Sequence, residues 1–190
     1  YVSIENEMWI VGYDRLNGLM NELEIQNFTV EKVIKGIELD GKRYLHPLLA
    51  MIPGLKELSD DKKVHFVVAE NFVDASTGSG IVHLSPANGQ EDFDIAVKRN
   101  VPIFVPINDK VEFTEKAGIF SGKFVRDSDL LVVEKMKEAG AYLKLGRIKH
   151  QYPTCWRSNH KVVWLARREY FYMIDKLDNK PMNAVSNVNF

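Results

Sequence analysis

One stretch of the chain dominates its interpretation, and it reads Gly78-Ser79-Gly80-Ile81-Val82-His83-Leu84-Ser85-Pro86-Ala87-Asn88-Gly89-Gln90-Glu91-Asp92. Two glycines let the backbone turn tightly or approach a ligand closely. We predict a strand over 81–84 that holds His83, then a loop, then a helix that begins near Asp92. An acid in the first turn of a helix is stabilised as a carboxylate by the free backbone N–H groups. Such a carboxylate is suited to binding a cation, for example the ammonium group of an amino acid.

Each of these residues also has a purely structural interpretation. A single histidine in a strand is more often a hydrogen-bonded structural residue than a catalyst, despite its useful pKa. An acid in the first helical turn is usually no more than a favourable helix terminus. The Gly-Ser-Gly segment is also compatible with an ordinary hairpin turn. Residue spacing therefore does not decide whether these residues form a functional site or have only a structural role.

Hydrophobic spacing around this stretch predicts many short strands and a few helices. We expect a strand pair in Tyr1–Gly12 that turns around Glu5-Asn6-Glu7, and two or three short extended segments between Tyr142 and Tyr172, separated by turns near Pro153 and Asn159. The other predicted strands are 28–39, 65–69 and an interrupted 101–107. The predicted helices are 14–25 with Asp14 as N-cap, 91–100, and 127–139 ended by Gly140. The apolar residues at helical spacing are Leu16, Leu19, Met20 and Leu23 in the first of these helices and Leu130, Val133 and Met136 in the last. This pattern favours an α+β domain built on a barrel or curved sheet.

Composition excludes several classes of protein. The 190 residues are 45% hydrophobic and 27% charged, which is typical of a globular domain rather than a disordered chain. The formal net charge is 25 − 26 = −1, yet seven Lys or Arg and no acid lie between 142 and 168, a local pattern that can bind phosphates or simply form a solvated surface. No apolar run is long enough to span a membrane. Cys155 is the single cysteine, so no internal disulfide can form, and a reducing, cytoplasmic setting is expected.

The quoted stretch resembles the signature of the editing insertion of isoleucyl-tRNA synthetases. That signature reads Gly-Thr-Gly, an apolar residue, Val-His, any residue, Ala-Pro, and then Gly-His-Gly, any residue, Asp-Asp. The matching positions are Gly78, Gly80, Val82, His83, Pro86, Gly89 and Asp92, and the departures are Ser79, Ser85, Ala87, Asn88 and Glu91. Asn88 replaces a common loop histidine and so bears on substrate contacts.

Further landmarks follow in the order that the family has. They are Leu45-His46-Pro47-Leu48, then Gly118-Ile119-Phe120-Ser121-Gly122, and then His150, Tyr152-Pro153 and Cys155-Trp156-Arg157. Related valyl enzymes usually carry Lys and leucyl enzymes Met where His83 stands, and valyl enzymes tend to have Tyr in place of Trp156. The resemblance therefore favours the isoleucyl class, with the valyl and leucyl editing domains as alternatives.

The resemblance implies an α+β editing domain with a barrel-like core and peripheral helices over 1–170, and a return segment toward the synthetase body over 171–190. It implies that Asp92 and His83 are the catalytic residues: Asp92 binds the α-ammonium of valine esterified to tRNA(Ile), and His83 excludes isoleucine and contacts the terminal ribose. The residues Gly78, Ser79, Gly80, Asn88 and Gly89 are expected to contact the substrate. No cofactor is expected in this domain, because ATP and magnesium belong to the synthetic site of the parent enzyme, whose motifs are absent from the sequence.

Two expectations limit this interpretation. A threonine-rich segment that lines the family's pocket precedes a strand like Tyr1–Gly12 and is not in this sequence, so the isolated chain is expected to fold but to be weakly active or inactive. A non-catalytic module for tRNA binding or interdomain contact is the alternative from a different class. Zinc binding by Cys155, His150 and His160 is disfavoured, because three ligands lack a fourth.

Overall fold

The computed structural model describes residues 1–59, 63–147, 149, 151–177 and 180–188. Its first nine residues supply two of the three strands of a small sheet. Strands β1 (Val2–Ile4) and β2 (Glu7–Trp9) form the predicted antiparallel hairpin. Glu5 adopts a φ of 52° in the turn. Strand β3 (Thr29–Val30) pairs antiparallel with the other edge of β1, so the strand order is β2-β1-β3. Within the described residues this sheet is open.

Helices account for most of the regular structure outside the sheet. The α-helices of the described residues are α1 (Leu16–Glu22), α2 (Pro53–Ser59), α3 (Gln90–Arg99), α4 (Asp129–Glu138) and α5 (Lys180–Ser186). Short 3₁₀ segments lie at Tyr13–Arg15, Gly36–Leu39, Leu49–Met51, Glu115–Phe120, Val125–Ser128 and Ile174–Leu177. No described helix is long and apolar enough to cross a membrane. The described residues are thus a mixture of helix and strand, which is compatible with the predicted α+β class.

Two separate clusters of buried side chains stabilise this arrangement. In the first, alternate residues Val2 and Ile4 of β1 pack on Leu16 and Met20, which lie one turn apart on α1. In the second, Leu48, Ala117 and Phe120 are buried, with Phe113, Leu131 and Met136 partly buried against them. Because both clusters are small, the loops between them are fixed largely by hydrogen bonds and ion pairs.

Helix α3 begins within the Gly78–Asp92 stretch, and side-chain interactions hold both of its ends in place. Ile95 and Ala96 are buried on its inner face. At its C-terminal end, Arg99 forms ion pairs of 3.3 Å with Asp40 and with Glu70. Hydrogen bonding by the Ala69 N–H, together with Arg99, holds the pKa of Asp40 below its usual value despite some burial. The helix is therefore a fixed base for its first turn.

Several predicted elements are wrong in detail. Residues 65–69 make only a partial pairing with 41–44, and His65, with a φ of 54°, interrupts the ladder. The predicted strands at 81–84 and 101–107 are irregular, because no described segment forms a ladder beside them. The 28–39 strand shortens to β3 and a 3₁₀ turn. Asp14 lies inside the first 3₁₀ turn and caps no helix with its side chain. The barrel-like core is not seen among the described residues.

Candidate active site

Asp92 closes the loop in front of α3. It is the third residue of the helix, after the N-cap Gly89, and its Oδ2 accepts a hydrogen bond from the backbone N–H of Ser85 at 2.9 Å. A Cβ atom at Gly89 would lie 2.8 Å from the same oxygen, so a side chain at this position would push the Asp92 carboxylate aside. No described residue donates a hydrogen bond to Oδ1, and Asp92 is partly exposed. One carboxylate oxygen thus stabilises the loop, and the other accepts no hydrogen bond from the described residues.

The side chain of Asn88 makes two hydrogen bonds within the protein. Its side-chain oxygen accepts the Ser85 hydroxyl at 2.8 Å, and its Nδ2 donates to the backbone carbonyl of Trp164 at 2.9 Å. Next to it, the backbone N–H of Ala166 donates to the carbonyl of Ala87 at 2.8 Å. The loop is therefore docked on the segment 164–166, a contact that the sequence did not predict. Both functional atoms of the Asn88 side chain are engaged within the protein.

The Gly78-Ser79-Gly80 turn packs on the N-terminal segment. Gly78 and Gly80 have φ values of 55° and 75°. A Cβ atom at Gly80 would lie 2.7 Å from Cα of Gly12, so the two backbones approach too closely for a side chain. The Gly12 N–H donates to the Ser79 carbonyl at 2.7 Å, and Arg15 donates through Nε to the Gly78 carbonyl at 3.0 Å. The close backbone approach expected for a ligand is thus made to another part of the chain.

His83 lies on an exposed part of the irregular segment that joins this turn to the loop. Two further histidines lie in its neighbourhood, and no role was predicted for them. The rings of His46 and His65 have centroids 5.4 Å apart. Burial, with added repulsion from His65 and His83, lowers the pKa of His46 below its usual 6.5. The Leu48 N–H donates to Nδ1 of His46 at 3.2 Å, so the proton of the neutral ring is on Nε2.

The predicted site residues therefore fall into two groups. Ser85, Asn88, Gly89 and Asp92 form one hydrogen-bonded unit at the start of α3. The Gly78–Gly80 turn belongs to a second unit with Gly12 and Arg15, and His83 connects the two along the chain. Among the contacting residues that were not predicted, only His46 lies in a recognisable sequence motif. Gly12, Trp164 and Ala166 make their contacts through backbone groups, which no residue type reveals in the sequence.

A groove of about 730 Å³ lies away from both units. It runs between the first hairpin and the segment after α1, and it contains none of the predicted site residues. Its lining is Ile4, Glu5, Asn6, Glu7, Trp9, Glu24, Ile25, Gln26 and Asn27.

The zinc interpretation concerns Cys155, His160 and His150, of which His150 lies outside the described residues. Within the described part of the chain, no three His, Cys, Asp or Glu side chains are arranged to hold a metal ion. The pKa of the Cys155 thiol is lowered by hydrogen bonds from the Ser158 side chain and backbone and from the Arg157 backbone. That thiol environment is formed by one tight turn.

Comparison with known proteins assigns the chain to a family. The isoleucine–tRNA ligase of Methanocaldococcus jannaschii is 33% identical over 198 aligned residues, which include all of this chain and 19% of the relative. That of Saccharolobus islandicus is 34% identical over 189 residues, with 100% and 18% covered. The chain is homologous to a segment of isoleucyl-tRNA synthetases. The Pyrococcus abyssi enzyme matches 92% of the chain at 33% identity. No protein-family model matches the chain.

The chain spans about a fifth of the length of these isoleucyl-tRNA synthetases. Two of the alignments cover the whole chain, so the turn at Gly78–Gly80, His83 and Asp92 all lie within the homologous segment. The recognition made from the sequence motifs is thus confirmed at the level of the synthetase family.

Proposed function

We propose that this chain is the editing module of an isoleucyl-tRNA synthetase and hydrolyses valine that is wrongly esterified to tRNA(Ile). The observation that carries the proposal is the whole-length similarity to isoleucine–tRNA ligases, in a segment with the Gly-x-Gly, His83 and Asp92 pattern. The available Oδ1 of Asp92 at a helix N-terminus supports it. The same proposal includes an editing domain over 1–170 with a barrel-like core, a return segment over 171–190, and a cytoplasmic setting.

The need for such a module follows from the chemistry of the two amino acids. One methylene group in an apolar pocket changes binding by only about 1–3 kcal/mol, and isoleucine against valine is the standard example. A second site that admits valine and excludes isoleucine by size adds a second selection step, and the selectivity factors of the two steps multiply. The substrate of that second site is the ester between the valine carboxyl and a ribose hydroxyl at the tRNA 3′ end.

Asp92 binds the substrate ammonium in this proposal. A carboxylate attracts an ammonium group through charge-assisted hydrogen bonds, and its Oδ1 has no competing donor among the described residues. Because Oδ2 is held by the Ser85 N–H, the carboxylate presents Oδ1 in a fixed direction. Water then attacks the ester carbonyl, the ester bond breaks, and valine and the tRNA hydroxyl leave. The ester is intrinsically labile, so positioning supplies much of the acceleration.

His83 sets the amino-acid selectivity in this proposal. Its exposed imidazole extends from the segment between the glycine turn and the Asp92 loop, and its charge contributes to the lowered pKa of His46. To exclude the extra carbon of isoleucine, this position needs only a bulky side chain on a backbone segment that keeps its place. His83→Ala is therefore expected to admit Ile-tRNA(Ile) while retaining hydrolysis of Val-tRNA(Ile).

The test replaces the homologous segment of the M. jannaschii ligase by this chain, so that the rest of a synthetase is present. Deacylation of Val-tRNA(Ile) and Ile-tRNA(Ile) is measured for the wild type, Asp92→Ala and His83→Ala. Asp92→Ala is expected to abolish valine release. Glu91→Gln is the matched control, because it removes an exposed acid from the same helical turn. Undiminished deacylation by Asp92→Ala, or unchanged selectivity of His83→Ala, would contradict the assigned roles. The chain alone is expected to be weakly active.

A non-catalytic tRNA-binding or interdomain module is the second candidate. It is favoured by the internal engagement of residues expected to touch substrate, since Asn88 bonds Trp164, and Gly80 abuts Gly12. This candidate predicts tRNA binding without ester hydrolysis, even inside the synthetase. The chimeric enzyme distinguishes the two candidates, because only an editing module makes valine release depend on Asp92.

A further inference from the structure

The loop in front of α3 departs from the editing signature at two positions that contact each other. Ser85 and Asn88 lie where that signature has Ala and His. The Ser85 hydroxyl donates a hydrogen bond to Oδ1 of Asn88 at 2.8 Å. An alanine at position 85 has no hydroxyl with which to form this bond. The two departures therefore form one interacting unit in this chain, the Ser85–Asn88 pair.

The orientation of the Asn88 amide follows from its second partner. Nδ2 of Asn88 lies 2.9 Å from the backbone carbonyl oxygen of Trp164, and a carbonyl can only accept. The amino group therefore faces Trp164, and the amide oxygen faces the hydroxyl of Ser85. Beside this bond, the Ala166 N–H donates to the carbonyl of the buried Ala87 at 2.8 Å. The loop is thus attached to the downstream chain at two adjacent points.

Ser85 connects this attachment to Asp92, because every polar group of Ser85 is used inside the loop. Its N–H donates to Oδ2 of Asp92 at 2.9 Å, and its hydroxyl donates to Asn88. Its carbonyl accepts the N–H groups of Asn88 at 3.0 Å and of Gly89 at 3.3 Å. A continuous path of hydrogen bonds thus runs from the Trp164 carbonyl, through the Ser85–Asn88 pair, to the Asp92 carboxylate.

The surroundings of the pair favour a role in positioning over a role in stability. Both side-chain hydrogen bonds of Asn88 are exposed to water, where a hydrogen bond is weaker than in the protein interior. In contrast, the Ser85 N–H is the one donor to the Asp92 carboxylate among the described residues. The direction of that carboxylate therefore depends on the place of Ser85, and Asn88 holds Ser85 in place.

We propose that Ser85 and Asn88 are positioning residues, which fix the Asp92 carboxylate relative to the segment 164–166 so that Oδ1 keeps one direction. The proposal rests on the proposed function, in which Oδ1 meets the substrate ammonium. It gives Asn88 a positioning role in place of the substrate contact expected from the resemblance. The segment 164–166 in turn supports the site, so that a displacement of this segment reaches Asp92 through the pair.

Amide hydrogen exchange of the 190-residue chain, followed by NMR, tests the coupling without any substrate. The amide at position 85 reports on its bond to Asp92, and the Ala166 amide reports on the docking of the loop. Asn88→Ala is expected to lower the protection of both amides by about 2- to 13-fold, the factor for one lost hydrogen bond. Ser85→Ala is expected to have a similar effect. Ser85→Thr is expected to restore protection, because it keeps the hydroxyl.

A double variant and two references complete this experiment. Since the pair acts as a unit, Ser85→Ala/Asn88→Ala is expected to lower protection no further than the stronger single variant. Ser59→Ala is the matched control, because it removes a hydroxyl that bonds the Lys56 carbonyl at 2.7 Å and is expected to leave both amides unchanged. Asp92→Ala sets the limit at position 85, since it removes the acceptor itself. Unfolding temperatures establish that each variant is folded.

Two results of the exchange experiment would overturn the proposal. The first is unchanged protection of the amide at position 85 in Asn88→Ala. The second is a set of effects in which the double variant shows the full product of the two single factors, because independent residues give that result.

Deacylation by the chimeric M. jannaschii ligase separates this proposal from the proposed function. Ser85→Ala is expected to lower kcat/KM for Val-tRNA(Ile) by up to about 100-fold, as a small misplacement of a binding group can. The preference for valine over isoleucine is expected to remain, because His83 is intact, and Ser85→Thr is expected to restore the rate. Asp92-dependent deacylation that Ser85→Ala leaves unaltered overturns the positioning role and retains the editing function. Coupled protection of the two amides without any deacylation supports the positioning of Asp92 and rejects the editing function.

Discussion

The contact between Gly80 and Gly12 gives a stability prediction that can be calculated from geometry. In Gly80→Ala the new Cβ lies 2.7 Å from Cα of Gly12 and 3.2 Å from the Ala75 carbonyl oxygen. Both are backbone atoms that cannot rotate away. The backbone at Gly80 also has a φ of 75°. A left-handed conformation costs an alanine about 1–2 kcal/mol, and overpacking costs about 1–3 kcal/mol.

The two costs add to about 2–5 kcal/mol of lost unfolding free energy. For a protein of this size, each kcal/mol lowers the unfolding temperature by about 2–4 °C. Gly80→Ala is therefore expected to unfold about 4–20 °C below the wild type when circular dichroism is followed during heating.

Two other glycines separate the contributions. Gly78 has a φ of 55°, and a Cβ added there would have no atom within 4 Å, so Gly78→Ala is expected to lose only the conformational part, about 1–2 kcal/mol. Gly36 has open space and no positive φ, so Gly36→Ala is expected to be neutral or to stabilise by about 0.4–1 kcal/mol. Equal unfolding temperatures for Gly80→Ala and Gly78→Ala would refute the backbone contact with Gly12.

Two further predictions concern the loop and the histidines. Asn88→Ala removes the hydrogen bond to the Trp164 carbonyl, so it is expected to destabilise the protein by about 1 kcal/mol and to speed amide hydrogen exchange at Ala166, measured by NMR; unchanged exchange would contradict the docking of the loop. Burial lowers the pKa values of His46 and His65 below 6.5, so the unfolded chain binds protons at a higher pH than the folded protein. The stability that these rings contribute is complete above about pH 6.5 and is lost as the pH falls through the folded pKa. The unfolding temperature is therefore expected to fall from about pH 7 to about pH 5, and less steeply in His46→Gln; parallel curves would contradict the account.

Local hydrophobic spacing predicted the helices better than the strands. Helix α1 was recognised from Leu16 and Met20, which are buried as expected, and α3 begins within one residue of its predicted start. In α4 the predicted core position Leu130 is 76% exposed, and its neighbour Leu131 packs instead. Helical spacing is a property of consecutive residues, and a shift of one position leaves the helix itself correctly predicted.

The strands after the first hairpin were predicted less well because their pairing depends on residues distant in sequence. Apolar runs such as 81–84 have the composition of a strand, but no described segment forms a ladder with them. Contacts between residues distant in sequence also limited the prediction of the candidate site. The positions of Asp92 and the glycine turn follow from motifs, whereas the docking of Asn88 on Trp164 joins residues 76 positions apart through a backbone carbonyl. A backbone partner leaves no residue-type signal.

The editing function is tested by the ratio of deacylation rates for Val-tRNA(Ile) and Ile-tRNA(Ile) in the M. jannaschii ligase that carries this chain as its homologous segment. We expect rapid loss of valine and retention of isoleucine, with the valine loss abolished by Asp92→Ala. Stable Val-tRNA(Ile) in a chimera that still charges tRNA with isoleucine would contradict the editing function.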